Sequence, residues 1–166
     1  MRTTAEGRSP ETHSLVVAAD EHSAVWIARA LTIIRVALGV FLIVKSTGKF
    51  GWLLDASPLA TRLTAWAARD QVSQISRAYA SALIAGAALY ARLALIGELG
   101  GGIALVVGFK TRIVAALAAL MILNFHLATG GLIAWDFLSD ASGLVVVVAL
   151  TALAIGGRKL PLSVTG

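Results

Sequence analysis

Hydrophobic residues of the chain are concentrated in four long runs, at about 26–47, 88–109, 113–129 and 137–155. An α-helix rises about 1.5 Å per residue, so roughly 20 residues cross the roughly 30 Å hydrocarbon core of a bilayer. The pattern therefore predicts four membrane-spanning helices. The polar turn at 110–112 is very short, which makes the second and third helices antiparallel neighbours.

The connection between the first two runs is too long for a simple turn. Its segment SPLATRLTAWAARDQ, at 57–71, predicts an amphipathic helix at the membrane interface, with Ser57 as cap and Pro58 in the first turn. One face carries apolar residues and the opposite face is basic: Leu59, Leu63 and Trp66 against Arg62 and Arg69. Residues 71–87 are either an early start of the second span or a re-entrant segment.

The ends of the chain are polar. Residues 1–24 mix acidic and basic side chains and lack the apolar core of a secretory signal, so they predict a disordered tail. Residues 25–160 are predicted to form one membrane domain, followed by a C-terminal tail at 161–166. The predicted fold is all-α, an integral membrane four-helix bundle with an extra amphipathic interfacial helix in the first long loop.

Composition supports a membrane protein. The chain is 58% hydrophobic and 14% charged, whereas soluble domains average about 45–50% apolar and about 25% charged residues. The net charge is +5, but the basic residues lie mostly at the ends of apolar runs, which points to the bilayer as partner and not to nucleic acid. Cysteine is absent, which excludes disulfides and thiolate-bound iron–sulfur or zinc sites.

Basic residues also give an orientation. Four spans place both termini and the 110–112 turn on one side, with Arg2, Arg8, Arg29, Lys110, Arg112, Arg158 and Lys159. The opposite side holds Lys45, Lys49, Arg62, Arg69 and Arg77. The positive-inside rule then predicts cytoplasmic termini, in what would be a bacterial inner membrane.

Two ionisable residues lie inside predicted spans. Counted from Trp26 and Phe109 as markers of one membrane face, Arg35 lies about 13 Å deep and Glu98 about 16 Å deep. Equal depth on antiparallel helices predicts a buried pair of Arg35 and Glu98. The pair either orients a polar ligand or carries protons beside a redox site, or it fixes helix register. Gly97, Gly101 and Gly102 beside Glu98 predict close helix packing.

A second polar cluster is predicted near the opposite leaflet, with Lys45, Lys49, Asn124, His126 and Asp136 as its members. Their donors suit the carbonyls of a quinone head group. Alternatively, the two lysines extend to lipid head groups and His126 is a satisfied interface residue. The spans contain a single histidine, which disfavours haem, and too few ligands converge for a metal; no covalently bound cofactor is predicted.

The sequence resembles the DoxX/DoxD family. RVALGVFLIVKSTGK resembles the first-span signature of the family, and GELGGGIALVVGFKTRIVAALAALMILNFHLATG resembles its second and third spans. The resemblance covers about 33–163 and implies a small four-helix membrane protein with Arg35, Lys49, Glu98 and His126 as the family-type polar positions. Some members are the small subunit of thiosulfate:quinone oxidoreductase, and others belong to membrane complexes that handle thiol or oxidative stress.

Two functions from different classes follow as hypotheses. The first is a redox-assembly subunit without autonomous activity, giving membrane anchorage and a quinone-facing site, with thiosulfate drawn by Lys49 and by Arg62, Arg69 and Arg77. The second is a non-catalytic scaffold that binds a larger partner complex. Either one implies a partner subunit or a homo-oligomer.

Overall fold

The computed structural model describes residues 10–158 and 160–164 of the chain. This described part contains α-helices and two short 3-10 turns, Phe50–Leu53 and Gly131–Ile133, and no strand, which confirms the all-α class. The helices are α1 Pro10–Thr47, α2 Ser57–Ala67, α3 Gln74–Ile84, α4 Ala87–Val107, α5 Thr111–Thr129, α6 Asp136–Ser139 and α7 Leu144–Gly156.

Three helical segments are long and apolar enough to cross a membrane: His22–Thr47, Ala87–Val107 and Thr111–Thr129. They match the first three predicted spans, so the chain is an integral membrane protein. The second and third begin and end within two residues of the predicted bounds. The bounds of both helices could be predicted from the local sequence, because glycine and polar residues terminate their apolar runs.

The predicted fourth span is wrong in its bounds. The segment 137–155 is divided into α6 and α7, and α7 has 13 residues, which span about 20 Å, less than the hydrocarbon core. The Asp140 carboxylate accepts hydrogen bonds from Ser142 N at 2.6 Å and Ser142 Oγ at 2.5 Å, which holds the chain in a turn. Gly143 permits the bend, since a Cβ there would lie 2.1 Å from Phe137 O.

The first helix begins earlier than expected. Residues 10–24 were assigned to a disordered tail, but α1 starts at Pro10 and runs for 38 residues. Proline suits the first helical turn, and no glycine or proline follows before Gly39, so nothing in the sequence interrupts the helix. Residues 1–9 of the predicted tail, like Lys159 and 165–166, lie outside the described residues.

The long connection contains two helices. The amphipathic prediction matches α2, which buries Leu59 and Leu63 and leaves Arg62 exposed. The prediction of Ser57 as cap is wrong, because the Asp55 carboxylate accepts from Ser57 N at 2.8 Å. Of the two alternatives for 71–87, neither describes the structure fully, since α3 is a separate helix that ends before Ala85 and packs beside α2 and α5.

Close packing of α1 against α4 sets the level of every polar group discussed below. The two helices are antiparallel, and their backbones touch at two glycines. A Cβ on Gly39 would lie 2.7 Å from Gly102 O, and one on Gly102 would lie 2.8 Å from Gly39 O. We call the end with the α4–α5 turn and the end of α7 the turn end, and the end with α2, α3 and α6 the loop end.

Candidate functional site

The predicted pairing of Arg35 with Glu98 is wrong. Both side chains are buried, at 0% and 6% exposure, but Arg35 lies beside Gly108 and Glu98 is ten residues, or about 15 Å, further along α4. The depth estimate failed because it took Trp26 as a marker of the membrane face. Leu31 already lies beside Gly156 at the end of α7, so Trp26 is beyond the end of the bundle.

Arg35 is held at the turn end by the C-terminal segment. Its Nη1 donates to Ser163 Oγ at 2.5 Å and its Nη2 donates to Leu162 O at 3.0 Å. Gly108 has the left-handed φ of 74°, and a Cβ on it would lie 2.1 Å from Arg35 Nη1, so glycine is required there. We call this arrangement of Arg35, Gly108, Leu162 and Ser163 the clasp; it closes the turn end around one buried charge.

Glu98 forms its ion pair with Lys49, through Oε1 and Nζ. Lys49 lies two residues after the end of α1, in the turn that begins at Gly48. From there its side chain reaches Glu98 on α4. Its ammonium group lies 5.2 Å from the centre of the Phe125 ring and 5.7 Å from that of Trp52, both within cation–π range. Glu98 Oε2 is buried and has no hydrogen-bond partner among the described residues.

A cavity of about 130 Å³ opens beside this ion pair. We call it the charged chamber; its lining residues are Phe41, Leu42, Lys45, Lys49, Glu98, Ile122, Phe125, His126 and Ser142. The volume equals about four water molecules at roughly 30 Å³ each. Lys45, Lys49 and His126, which were predicted to lie together, all line this cavity. Glu98 lines it as well, although it was predicted to pair with Arg35 outside this cluster.

His126 lies between the charged chamber and a larger pocket of about 600 Å³ at the loop end. Asp136 lines this outer pocket but not the charged chamber, and Arg69 lies on its wall. One ring nitrogen of His126 is 3.2 Å from Ser142 O, and the ring packs edge-to-face on Phe137 at 5.1 Å. These contacts hold the imidazole in the boundary between the two spaces.

Asp140 adds a negative charge at the same boundary. The hydrogen bonds that Ser142 donates hold the pKa of the Asp140 carboxyl below its usual value, and the nearby charges of His126 and Lys45 lower it further. We call this boundary, where His126 and Asp140 lie, the chamber mouth. The Asp140 carboxylate offsets part of the positive charge there.

The predicted placement of Asn124 in this cluster is wrong. The turn of α5 directs Asn124 to a third, mostly apolar cavity of about 270 Å³, where its Oδ1 accepts from the Tyr79 hydroxyl. This apolar cavity lies between α2, α3, α4 and α5, with Leu59, Leu63, Trp66, Leu83, Tyr90, Leu93, Ala94, Met121, Asn124, Phe125 and Ala128 as its lining. Asn124 and His126 are two residues apart, which on a helix points them in different directions.

Phe125 is one of the lining residues that sequence reasoning missed, and it is shared by all three cavities. It lines the charged chamber, the outer pocket and the apolar cavity, so its ring is the partition between them. Its position between Asn124 and His126 was a usable signal. Successive residues on an α-helix point about 100° apart. A residue between two polar residues that face different cavities therefore points to the space between those cavities.

The glycines predicted to pack helices lie at two different interfaces. Gly102 packs on α1, whereas a Cβ on Gly97 would lie 2.9 Å from Met121 Sδ and one on Gly101 would lie 3.9 Å from Val114, both on α5. The close approach at Gly102 brings Lys49, and not Arg35, to the level of Glu98.

Comparison with known protein families gives one match. The model of the DoxX family matches residues 30–131, which is more than half of the chain and includes α4 and α5 completely. Arg35, Lys49, Glu98 and His126 lie inside the matched region, and Asp136 and the clasp residue Ser163 lie beyond it. Searches of curated proteins and of solved structures find no match.

Proposed function

The chain belongs to the DoxX family of membrane proteins, and from this premise we propose that it is the membrane subunit of a redox assembly whose charged chamber binds a quinone head group. The observation that carries the proposal is the buried Lys49–Glu98 ion pair, which opens on a cavity that Lys45 and His126 also line. Glu98 is buried among apolar helices, and its partner Lys49 is largely buried. Burying an ion pair at this depth is costly, and membrane proteins keep such groups where ligands or protons pass.

The chemistry of the chamber suits both redox forms of a quinone. Lysine ammonium groups donate hydrogen bonds to quinone carbonyls, while the unpartnered Oε2 of Glu98 accepts one from a quinol hydroxyl. Reduction of quinone to quinol takes up two electrons and two protons. His126, between the chamber and the outer pocket, is the proposed route for protons.

The apolar cavity supplies the remainder of the proposed site. Its volume of about 270 Å³ and its lining of aliphatic and aromatic side chains suit the apolar part of a membrane-soluble ligand. Tyr90 and Leu93 line this cavity and are exposed, so it opens at the lipid-facing surface of α4. Phe125 separates this entrance from the chamber, and its rotation would join them.

The electrons are proposed to come from a sulfur compound oxidised on a partner subunit. With thiosulfate as donor, two ions joined by a new sulfur–sulfur bond release the two electrons that the quinone takes up. Arg69 on the wall of the outer pocket is the proposed attractor of this anion. Arg77 is less suited, since it is bound to Asp70 at 3.6 Å and to Ala67 O at 3.2 Å.

Quinone binding to the reconstituted protein tests the proposal. In a variant with phenylalanine in place of Trp26, Trp66 and Trp135, the fluorescence of Trp52 reports on the chamber, because its ring lies 5.7 Å from Lys49 Nζ. We expect ubiquinone-1 to quench this fluorescence and ubiquinol-1 to compete with it. Glu98→Gln should weaken the binding of ubiquinol-1 about tenfold or more, as expected for loss of a hydrogen bond to a charged group.

The matched control is Asp70→Asn, which removes a carboxylate from an exposed ion pair at the same end of the molecule. It should leave the affinity unchanged. Thermal unfolding of each variant in detergent shows whether it is folded. Equal ubiquinol-1 affinity of folded Glu98→Gln, His126→Phe and wild-type protein would contradict the assignment of the chamber.

The proposed orientation has both termini in the cytoplasm of a bacterial cell. Because the chain has no cysteine, single cysteines report accessibility without background. A cysteine at Lys110 in the turn end should react with a membrane-impermeant maleimide only after the cells are opened, and one at Ser57 in the loop end should react in intact cells. The reverse pattern would invert the orientation.

A second candidate function, that of an accessory scaffold, is favoured by the segment 22–27 of α1. Residues 22–27 are all exposed, and they extend past Gly156 at the end of α7. The helix there carries Val25, Trp26 and Ile27 without packing partners in the bundle. Site-specific photo-crosslinking from position 26 tests this function; a crosslink to a second protein, together with no quinone binding, would favour the scaffold.

A further inference from the structure

A groove at the turn end is separate from the three cavities described above. It lies between the start of α5 and the end of α7 and has a volume of about 650 Å³. Lys110, Arg112 and Arg158 line one part of it, and Ile113, Ala116 and Leu117 of α5 line the other. The groove thus has a basic end and an apolar end, arranged along a membrane-spanning helix.

The basic end has features of an anion site. The described residues that line the groove include three basic side chains and no acidic one. Arg112 is anchored there, because its Nε donates to Ala154 O at 2.8 Å. Cationic side chains grouped at one end of a groove attract a phosphate group.

Two features of the start of α5 strengthen this interpretation independently of the basic cluster. Thr111 lines the groove and is 4% exposed, and its hydroxyl is buried without a hydrogen-bond partner among the described residues. The 19-residue helix α5 also begins at Thr111, so its first N–H groups and the positive end of its dipole lie at the basic end.

The apolar end indicates which phosphate compound binds. Ile113 and Leu117 lie one turn apart on α5 and are 59% and 61% exposed, so they continue the groove along the lipid-facing surface. A free phosphate ion makes no apolar contact with that surface, whereas the acyl chain of a phospholipid would cover it.

We propose that this groove binds an anionic phospholipid, with the phosphate at Lys110, Arg112, Arg158 and the Thr111 hydroxyl and with one acyl chain along Ile113 and Leu117. The assignment is independent of the proposed quinone site. It makes the α5–α7 contact at the turn end dependent on membrane composition.

Lipid titration of the delipidated protein in detergent tests the proposal, with binding followed by native mass spectrometry. The probes are phosphatidylglycerol, phosphatidylcholine and inorganic phosphate. We expect phosphatidylglycerol to bind at least tenfold more tightly than phosphatidylcholine. Arg158→Gln should weaken phosphatidylglycerol binding about fivefold, at about 1 kcal/mol for each basic residue, and added salt should weaken it in the wild type.

Two matched controls separate the parts of the site. Arg62→Gln makes the same charge change on an exposed residue at the loop end and should have no effect. Leu117→Gln should weaken phosphatidylglycerol but not inorganic phosphate, whereas Leu120→Gln, on an equally exposed residue outside the groove, should weaken neither. Both leucines are surface residues, so these variants test the site even where an arginine variant does not fold.

Two results would overturn the proposal. Equal affinity for phosphatidylglycerol and phosphatidylcholine would show that the groove does not select an anionic head group. Inorganic phosphate that displaces phosphatidylglycerol at comparable concentration, with Leu117→Gln unchanged from wild type, would make the groove a site for free phosphate and not for lipid.

Discussion

The clasp and the charged chamber both contain ionisable side chains at the interface of α1 and α4, but the partners of these side chains differ. Arg35 in the clasp is fully buried, and its two guanidinium hydrogen bonds go to the C-terminal segment of the chain. Glu98 in the chamber is paired with the Lys49 side chain, has one oxygen without a hydrogen-bond partner among the described residues and borders a cavity. The difference separates a charge that closes the structure from a charge that is available to a ligand.

Helix electrostatics explains why the two charges need different partners. Arg35 lies beside Gly108, at the C-terminal end of α4, where the negative end of the helix dipole stabilises a cation. Glu98 lies near the middle of α4, where the dipole gives no such help. A carboxylate at that position needs a cation of its own, and Lys49 supplies it.

The largest expected effect is in the chamber. Lys49→Met leaves the Glu98 carboxylate buried without a cation, and we expect the free energy of unfolding to fall by about 3–5 kcal/mol. The double variant Lys49→Met, Glu98→Gln removes both charges and should recover most of that loss. Reversible unfolding in mixed detergent micelles measures both. If the single variant loses no more than the double one, the pair is not electrostatically coupled.

The clasp should break at its glycine. Gly108→Ala forces a left-handed backbone on alanine and places a methyl group 2.1 Å from Arg35 Nη1, which should cost about 3 kcal/mol of unfolding free energy. Quinone binding in the chamber should persist in the folded fraction, since the two regions are about 15 Å apart. Gly100→Ala is the control, because no neighbouring atom lies within 4 Å of the added Cβ. An equal loss of unfolding free energy in Gly100→Ala would contradict the stabilising role of the clasp.

The contact between the two regions is the next to test. Gly102→Ala places a methyl group 2.8 Å from Gly39 O and so pushes α1 away from α4. Overpacking of this kind costs about 1–3 kcal/mol. It should also shift Lys49 relative to Glu98 and so weaken quinone binding, unlike Gly108→Ala. Gly101→Ala, whose Cβ would lie 3.9 Å from Val114, should affect neither thermal unfolding nor binding.

The smallest effect is expected at the chamber mouth. The folded state depresses the pKa of Asp140, so its carboxylate stabilises the fold above the unfolded pKa of about 3.9 and loses that contribution as the pH falls through the lower folded pKa. Asp140→Asn should cost less than about 1 kcal/mol near neutral pH, because the group is exposed. Melting temperatures of wild type and variant should converge as the pH falls below the folded pKa of Asp140; a difference that is constant with pH would contradict the linkage.

Local sequence determined the elements that depend on local properties. The bounds of α4 and α5 follow from apolar runs that end at polar or glycine residues, and the amphipathic face of α2 follows from the spacing of Leu59 and Leu63. The ionisable residues of the chamber, Lys45, Lys49, Glu98 and His126, were also recognisable, because a charge in an apolar run is conspicuous in any sequence. Its apolar lining residues were not.

The tertiary structure alone decided which charges meet. The partner of Glu98 depends on the register between α1 and α4, and that register is set by a contact of two glycine backbones that hydrophobic periodicity does not encode. Likewise, the partners of Arg35 come from residues more than 120 positions away. Helix lengths are local properties of a chain, whereas the level at which one helix stands beside another depends on the packing of both.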